Sequence, residues 1–363
     1  MSYLPSNDER VEAREFIDWL VHIVHTFFDE ANIKVEILPV GSVIKGTFVS
    51  GEHDVDLYVL TDTPQQAIKL ASQSPYFQKE GYFKRAGPLL IWAFKSEEYD
   101  VDMVFGRPGE VKTDTLKHAQ FFNELSQSQK NEVVKAKAFF KSRGLYSAEV
   151  GGITGVAIEE LIRQHKSFCG LCDVLEQWPW LQDLVMKERR NLLASVIQKR
   201  QRQIQAACFA YLHDPRRKLP IQYKFFTIDK FKTSYLGYTF IEFKRKKEMI
   251  LDFTIVYSAC DHLMREIKNF ERDICRGDFD VWLDAKHICV AVSLPQELRE
   301  MKETKMNVEF TQGLQAFKTA HTNWYEHAGF LWAQVPRKIV HPLKYFEEKL
   351  TKKLMEEIGY VQE

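Results

Sequence analysis

The stretch "VGSVIKGTFVSGEHDVDLYVL", residues 40–60, decides the fold of this chain. Its last seven residues, "DVDLYVL" (54–60), have the composition of a buried strand, yet two of them are aspartates on one face. Asp54 and Asp56 are two positions apart, so a strand's period of two turns both carboxylates to the same side, about 7 Å apart along the chain. Like charges held that close raise each other's pKa unless a cation sits between them. A metal ion is the natural cation.

The pattern repeats downstream. In "YDVDMVFG" (99–106), Asp100 and Asp102 again share a face, and Asp102 follows Asp56 by 46 residues. Three carboxylates from neighbouring strands can hold two Mg²⁺ ions at a spacing suited to in-line attack on a phosphate. Mg²⁺ takes part of its shell from substrate phosphates, so a complete protein cage is not required. Upstream, the Gly41-Ser42 turn lets backbone N–H groups and a hydroxyl approach those phosphates. A lone D-x-D is common on solvated strand edges. Gly-Ser about a dozen residues ahead of it, with a third strand aspartate later, is a far more specific combination.

At 363 residues the chain is long enough for about two to three domains. A composition of 45% hydrophobic and 28% charged residues is that of a globular protein. The start, "MSYLPSNDER", has no apolar segment of a secretory signal, and no apolar run approaches the roughly 20 residues of a membrane span. Six scattered cysteines suit a reducing, cytoplasmic setting. Cys169 and Cys172 in "SFCGLCDVL" form one C-x-x-C with no second pair to complete a zinc site, so they are expected as two buried thiols one helical turn apart. Net charge is zero, but residues 187–247 carry 16 Lys and Arg against 4 Asp and Glu. These cluster as "KERR", "KRQR", "DPRRK" and "KRKK", with Tyr211, Tyr223, Phe225 and Phe226 among them, a mixture suited to RNA phosphates and bases or to a solvated helical face.

The periodicities predict a multidomain chain whose first 110 or so residues form an α/β or α+β lobe, with α+β the fold class of the whole. Residues 8–31 read as a helix, "VEILPVGS" as a strand, "VIKGTFVSGEH" as irregular, "QQAIKLASQ" as a short helix, and "PLLIWAFKS" and "YDVDMVFG" as strands. Helices dominate from 111 to about 205. One stops at Gly144 and another starts from a Thr154 N-cap. Beyond 206 strands ("YTFIEFKRK", "HICVAVSL", and a hairpin in "GFLWAQVPRKIVH") mix with helices ("SACDHLMREIKNFERDI", "LKYFEEKLTKKLMEEIG").

The Gly-Ser and D-x-D pattern is the hallmark of polymerase-β-like nucleotidyltransferases, and the whole motif resembles that of archaeal-type (class I) CCA-adding tRNA nucleotidyltransferases. "DVDMVF" is similar to that family's third-carboxylate strand, which favours Asp102 over Asp100. "VKAKAFFKSRGLYSAEVGGITGVAIEELIRQHKSF" (134–168) resembles its central domain, and "AGFLWAQVPRKIVHP" (328–342) a C-terminal segment. The resemblance implies a catalytic domain over 1–110, a helical nucleotide-binding domain over 111–205 and a mixed α/β tRNA-binding region over 206–363. It implies that Asp54, Asp56 and Asp102 are catalytic and hold Mg²⁺, that Ser42 and Lys45 contact the triphosphate, and that His118, Lys137 and Tyr146 make further nucleotide contacts. It also implies transfer of C and A from CTP and ATP to a tRNA 3′ end, with a homodimer as one assembly. The chain departs from the pattern with Lys at 45 where the family has Arg, which loses the forked hydrogen bonds. It also has "TDT" before His118 where the family has an Asp-Arg-Thr run, leaving Thr115 matched, and residues after 205 align poorly. The alternatives are a poly(A) polymerase, an oligonucleotide synthase, or a catalytically silent RNA-binding relative.

Overall fold

The computed structural model describes residues 3–52, 54–86, 89–109, 125–177, 191–213, 227–244, 253–270, 277–283, 287–298, 301–307, 311–320, 324–327, 330–336, 338–339, 341–354 and 361–362. The chain forms two compact units, one built essentially from residues 1–231 and the other from 232–244, 255–282 and 287–363.

The first unit opens with helix α1 (Asn7–Glu30), which starts at a reciprocal capping box between Ser6 and Glu9. Its apolar residues recur at helical spacing, and Phe16, Ile17, Leu20, Val24 and Phe28 are all buried. Five strands follow: β1 (Glu36–Val40), β2 (Asp54–Leu60), β3 (Tyr82–Ala86), β4 (Leu89–Ser96) and β5 (Tyr99–Gly106). They form one mixed sheet in the order β1-β2-β5-β4-β3, with β2 and β5 parallel and the other pairs antiparallel. Helix α3 (Pro64–Gln73) joins α1 in covering one face, and helix α2 (Gly41–Lys45) links β1 to the segment leading into β2. This short helix lies where the sequence reads as irregular. Its stop is a left-handed Gly46, whose N–H bonds the Val43 carbonyl.

The pleat of β2 and β5 decides which residues the site receives. Val55, Leu57, Val59, Val101, Met103 and Phe105 point into the core shared with α1 and α3. The alternate set, Asp54 and Asp56 on β2 and Asp100 and Asp102 on β5, therefore points to the opposite face. Farther along that face Tyr58, Leu60 and Val104 form a small apolar cluster with Val40 and Ile91. A one-residue slip of either strand would put its carboxylates into the hydrocarbon core, so this register is strongly specified.

Among the described residues of this unit four longer helices follow: α4 (Gln127–Lys141), α5 (Gly155–His165), α6 (Phe168–Glu176) and α7 (Gln198–His213). They share a second core around Phe139, Phe140, Ile158, Phe168 and Cys208. Helix α4 has a capping box from Ser126 and Gln129, and Thr154 caps α5 by accepting from the Ala157 N–H. Cys169 and Cys172 do lie one turn apart on α6, but only Cys172 is fully buried.

The second unit carries two sheets of its own. Strands β6 (Thr239–Lys244), β7 (Asp278–Leu283), β8 (His287–Ser293) and β12 (Val361–Gln362) run in the order β12-β6-β8-β7. Strands β9 (Met301–Asn307), β10 (Trp324–His327) and β11 (Phe330–Pro336) form an antiparallel sheet ordered β10-β11-β9. Helices α8 (Phe253–Phe270), α9 (Thr311–Ala320) and α10 (Pro342–Lys353) accompany them. Among the described residues the stretch read as a hairpin, 329–341, holds one strand, β11; its hairpin partner is β10, which lies just ahead of that stretch. Strands β3, β7 and β9 and helix α9 carry no clear periodic signal. Among the described residues no helix is long and apolar enough to cross a membrane.

Candidate active site

A cleft of about 370 Å³ opens on the sheet face that carries the aspartates. In the parallel β2–β5 pairing Asp54 stands opposite Asp100 and Asp56 opposite Asp102, so each pair occupies adjacent strands at the same level. Neighbouring strands lie about 4.8 Å apart, close enough for one cation to meet both members of a pair. Asp56 and Asp102 are half-buried, whereas Asp54 and Asp100 are exposed at the rim. Asp54 has the Lys141 ammonium 4.0 Å from one oxygen.

Gly41 lies against this floor. Its φ is +83°, in the left-handed region, and a Cβ built there would collide with the Asp56 carboxylate. Both features favour glycine, and Ser42 follows it at the cleft wall.

The basic side is built on a buried carboxylate. Glu159 of α5, 1% exposed, accepts from Lys45 Nζ at 2.9 Å on Oε2 and from Lys137 Nζ at 2.9 Å on Oε1. Thr47 Oγ1 donates to Glu159 Oε1 at 3.1 Å and accepts from Lys137 Nζ at 3.0 Å. Burial works against the Glu159 charge, but Lys137 and Lys45 together overcome it and hold its pKa down to about 2. For Lys137 the balance differs. Burial lowers its pKa, and the single Glu159 carboxylate, opposed by Lys45 and Lys141, does not restore it. Lys141, one turn along α4, bonds Glu52 at 2.5 Å and sits 4.5 Å from the centre of the Tyr146 ring. Tyr146 forms part of the wall, and burial followed by the carboxylates of Glu52, Glu159, Asp54 and Asp56 raises its pKa well above 10.

Of the residues expected from sequence, the cleft brings together Ser42, Lys45, Asp54, Asp56, Asp102, Lys137 and Tyr146. His118 and Thr115 lie outside the described residues. Sequence reasoning missed Glu159, Thr47, Glu52 and Lys141. The signal for Glu159 is a carboxylate inside "GVAIEELI", where its neighbours Ile158, Leu161 and Ile162 are core residues. Lys141 repeats Lys137 one helical turn later.

The donor set fits hard divalent cations. Seven carboxylates line the cleft against four lysines (45, 95, 137 and 141), so a triphosphate would meet a net negative wall unless cations accompany it. Among the described residues no three His, Cys, Asp or Glu side chains are grouped tightly enough to form a metal site by themselves. A cation held by Asp56 and Asp102 would complete its shell from phosphate oxygens and water, the normal habit of Mg²⁺.

No family model matches the chain. It is 30% identical to the CCA-adding enzyme of Methanothermobacter thermautotrophicus over a match covering 48% of this chain and 42% of that enzyme. With the CCA-adding enzyme of Pyrobaculum islandicum the identity is 27%, covering 51% and 48%. With that of Methanocaldococcus jannaschii it is 27%, covering 49% and 43%. Among solved structures, that of a cytoplasmic RNA terminal U-transferase aligns with a TM-score of 0.46 at 15% identity, covering 61% of this chain and 95% of that one. The matches thus span less than half the length of these curated relatives. Over about half of its own length, the chain is similar in sequence to CCA-adding enzymes from several archaea.

Proposed function

We propose that the chain is a template-independent RNA nucleotidyltransferase that adds C and A residues to a tRNA 3′ end from CTP and ATP. The observation that carries this reading is the in-register pair Asp56 and Asp102 on parallel neighbouring strands, at a cleft whose Gly41 leaves room for the carboxylate. The similarity to archaeal CCA-adding enzymes supports C and A as the residues added, with tRNA as the acceptor of this proposal.

In this mechanism the terminal 3′-oxygen of the RNA bonds to the α-phosphorus of the nucleotide. The bond from that phosphorus to the β-bridging oxygen breaks, pyrophosphate leaves, and the hydroxyl proton goes to solvent. Mg²⁺, when bound, would neutralise the triphosphate and lower the pKa of the attacking hydroxyl. Asp54, Asp56 and Asp102 would hold the cations, with substrate phosphate oxygens and water completing the shells. Ser42 donates to a phosphate oxygen, while Lys45 and Lys137 supply positive charge beside the β- and γ-phosphates without reorganising during the reaction. Tyr146 walls the nucleotide, with Lys141 against its ring. His118 is a further nucleotide contact in this reading.

The division into a catalytic segment (1–110), a helical nucleotide-binding segment (111–205) and a tRNA-binding region (206–363) belongs to the same proposal, with a cytoplasmic location and a homodimer as its assembly. Acceptors lacking A, CA or CCA, supplied with CTP and ATP singly and together, test the reaction. We expect each missing nucleotide to be restored on tRNA, with little incorporation on a random RNA. Equal use of both RNAs would overturn the tRNA acceptor. Light scattering reads the assembly, and a monomer would remove the homodimer.

A further inference from the structure

Lys45, Thr47 and Lys137 reach Glu159 from three separate places: α2, the loop after it, and α4. We propose that Glu159 is the positioning residue for the incoming triphosphate, its one carboxylate clamping the Lys45 and Lys137 ammoniums at the cleft wall. This rests on the nucleotidyltransferase reading and adds a role for a residue that need not touch the substrate.

The geometry carries the argument. Each Glu159 oxygen takes a different lysine, so the two Nζ atoms are held apart by the width of one carboxyl group. Thr47 closes the arrangement by bonding both Glu159 Oε1 and Lys137 Nζ. Two of the three Lys137 N–H groups point at Glu159 and Thr47, which fixes the ammonium's rotation and directs the third. Gly155 makes room for this: a Cβ there would meet the Tyr146 hydroxyl and lie 3.3 Å from Lys137 Cε. Long lysine side chains otherwise lose rotamer freedom on being ordered, and here the ordering precedes nucleotide binding.

Glu159 also keeps the lysines charged. The groups facing Lys137 are Glu159 from α5, Thr47 from the loop after α2, Lys45 from α2 and Lys141 on its own helix. Of these Glu159 alone brings a negative charge, so without it the buried Lys137 loses its proton more readily.

The test compares Glu159→Gln, Glu159→Asp and Thr47→Val with the unmodified full-length chain, using ATP on tRNA lacking only its terminal A. For Glu159→Gln we expect the ATP KM to rise about tenfold or more, as for loss of a charge-assisted bond, with kcat lowered as well and the tRNA KM nearly unchanged. Its ATP KM should climb as pH rises, and at lower pH than any such climb in the unmodified enzyme, because Lys137 loses its proton sooner without the Glu159 charge. Glu159→Asp should restore the parent profile, and Thr47→Val should raise the ATP KM only a few-fold. If Glu159→Gln does not fold, the other two variants carry the test. An unchanged ATP KM, or equal loss for ATP and tRNA, would overturn the positioning role. Calorimetric binding of ATP with Mg²⁺ reads the same contrast without turnover. ATP binding weakened by Glu159→Gln in a chain that incorporates nothing would overturn the reaction and leave the clamp standing.

Discussion

At Gly41 the backbone takes φ +83° while the Asp56 carboxylate occupies the space a Cβ would fill. Substituting Gly41→Ala adds about 1–2 kcal/mol of left-handed strain, which a domain of this size tolerates. The colliding atoms are the tip of a short side chain, so the carboxylate can rotate away. The variant should fold, with a small drop in Tm, and lose nucleotide incorporation; activity close to the parent would contradict the Asp56 assignment. Glu159 makes a separate pH prediction. Its folded pKa of about 2 lies below the ordinary 4.5, so it contributes stability that is complete above pH 4.5 and lost as pH falls toward 2. Thermal melts of the parent should fall across that window, and those of Glu159→Gln should start lower and lack this component. Asp54, Asp56 and Asp102 were legible in the sequence because carboxylates on a β-rich run violate the local pattern. Lys45 and Lys137 were legible only through family resemblance, and Glu159 not at all as their partner. A single sequence shows that a charge sits among apolar residues, not which distant charges it meets.

Elements show the same division. Helix α1 and strands β2, β4 and β5 were readable because each buries a face with its own period. Strand β3, "YFKRA", pairs with β4 at the sheet's edge and mixes basic with aromatic residues, which leaves no alternation to detect. Helix α2 is five residues long, too short for any periodicity, and is held instead by the turn at Gly46. The caps on α4 and α5 were partly visible: Thr154 reads as an N-cap, and the Ser126–Gln129 box is of the same kind. Because α4 carries Lys137 and Lys141, its start can be weakened without touching the cleft. Ser126→Ala should lower stability by about 1 kcal/mol and leave the ATP KM unchanged. Denaturant unfolding beside steady-state kinetics checks both, and a raised KM would mean that α4 transmits strain to the site.

For the whole molecule, the sequence's most informative large-scale feature is the basic run at 187–247, and the structure divides its parts. Of "KRQR", Arg200 is buried, donating from Nε to the Val150 carbonyl at 3.1 Å and from Nη1 to Gln203 at 2.7 Å, so it belongs to the scaffold. Lys232 pairs with Glu242 at 2.7 Å. Arg202 is exposed on α7, with Phe209 and His213 also exposed farther along the helix and their rings 4.3 Å apart. The "KERR" and "DPRRK" clusters, Arg245 to Lys247 of "KRKK", and Tyr223, Phe225 and Phe226 lie outside the described residues. The raw count of 16 against 4 therefore overstates the charge open to RNA. If the remainder grips a phosphate backbone, its contribution follows counterion release and not base sequence. Replacing Arg245, Lys246 and Lys247 together by alanine should weaken tRNA and unrelated duplex RNA alike. It should also flatten the dependence of log K on log salt by up to about two units, while the ATP KM with saturating tRNA stays constant. Filter binding from low to moderate salt reads the slope directly. An unchanged slope would mean that these three charges face solvent, and that the acceptor is held by surfaces elsewhere on the chain.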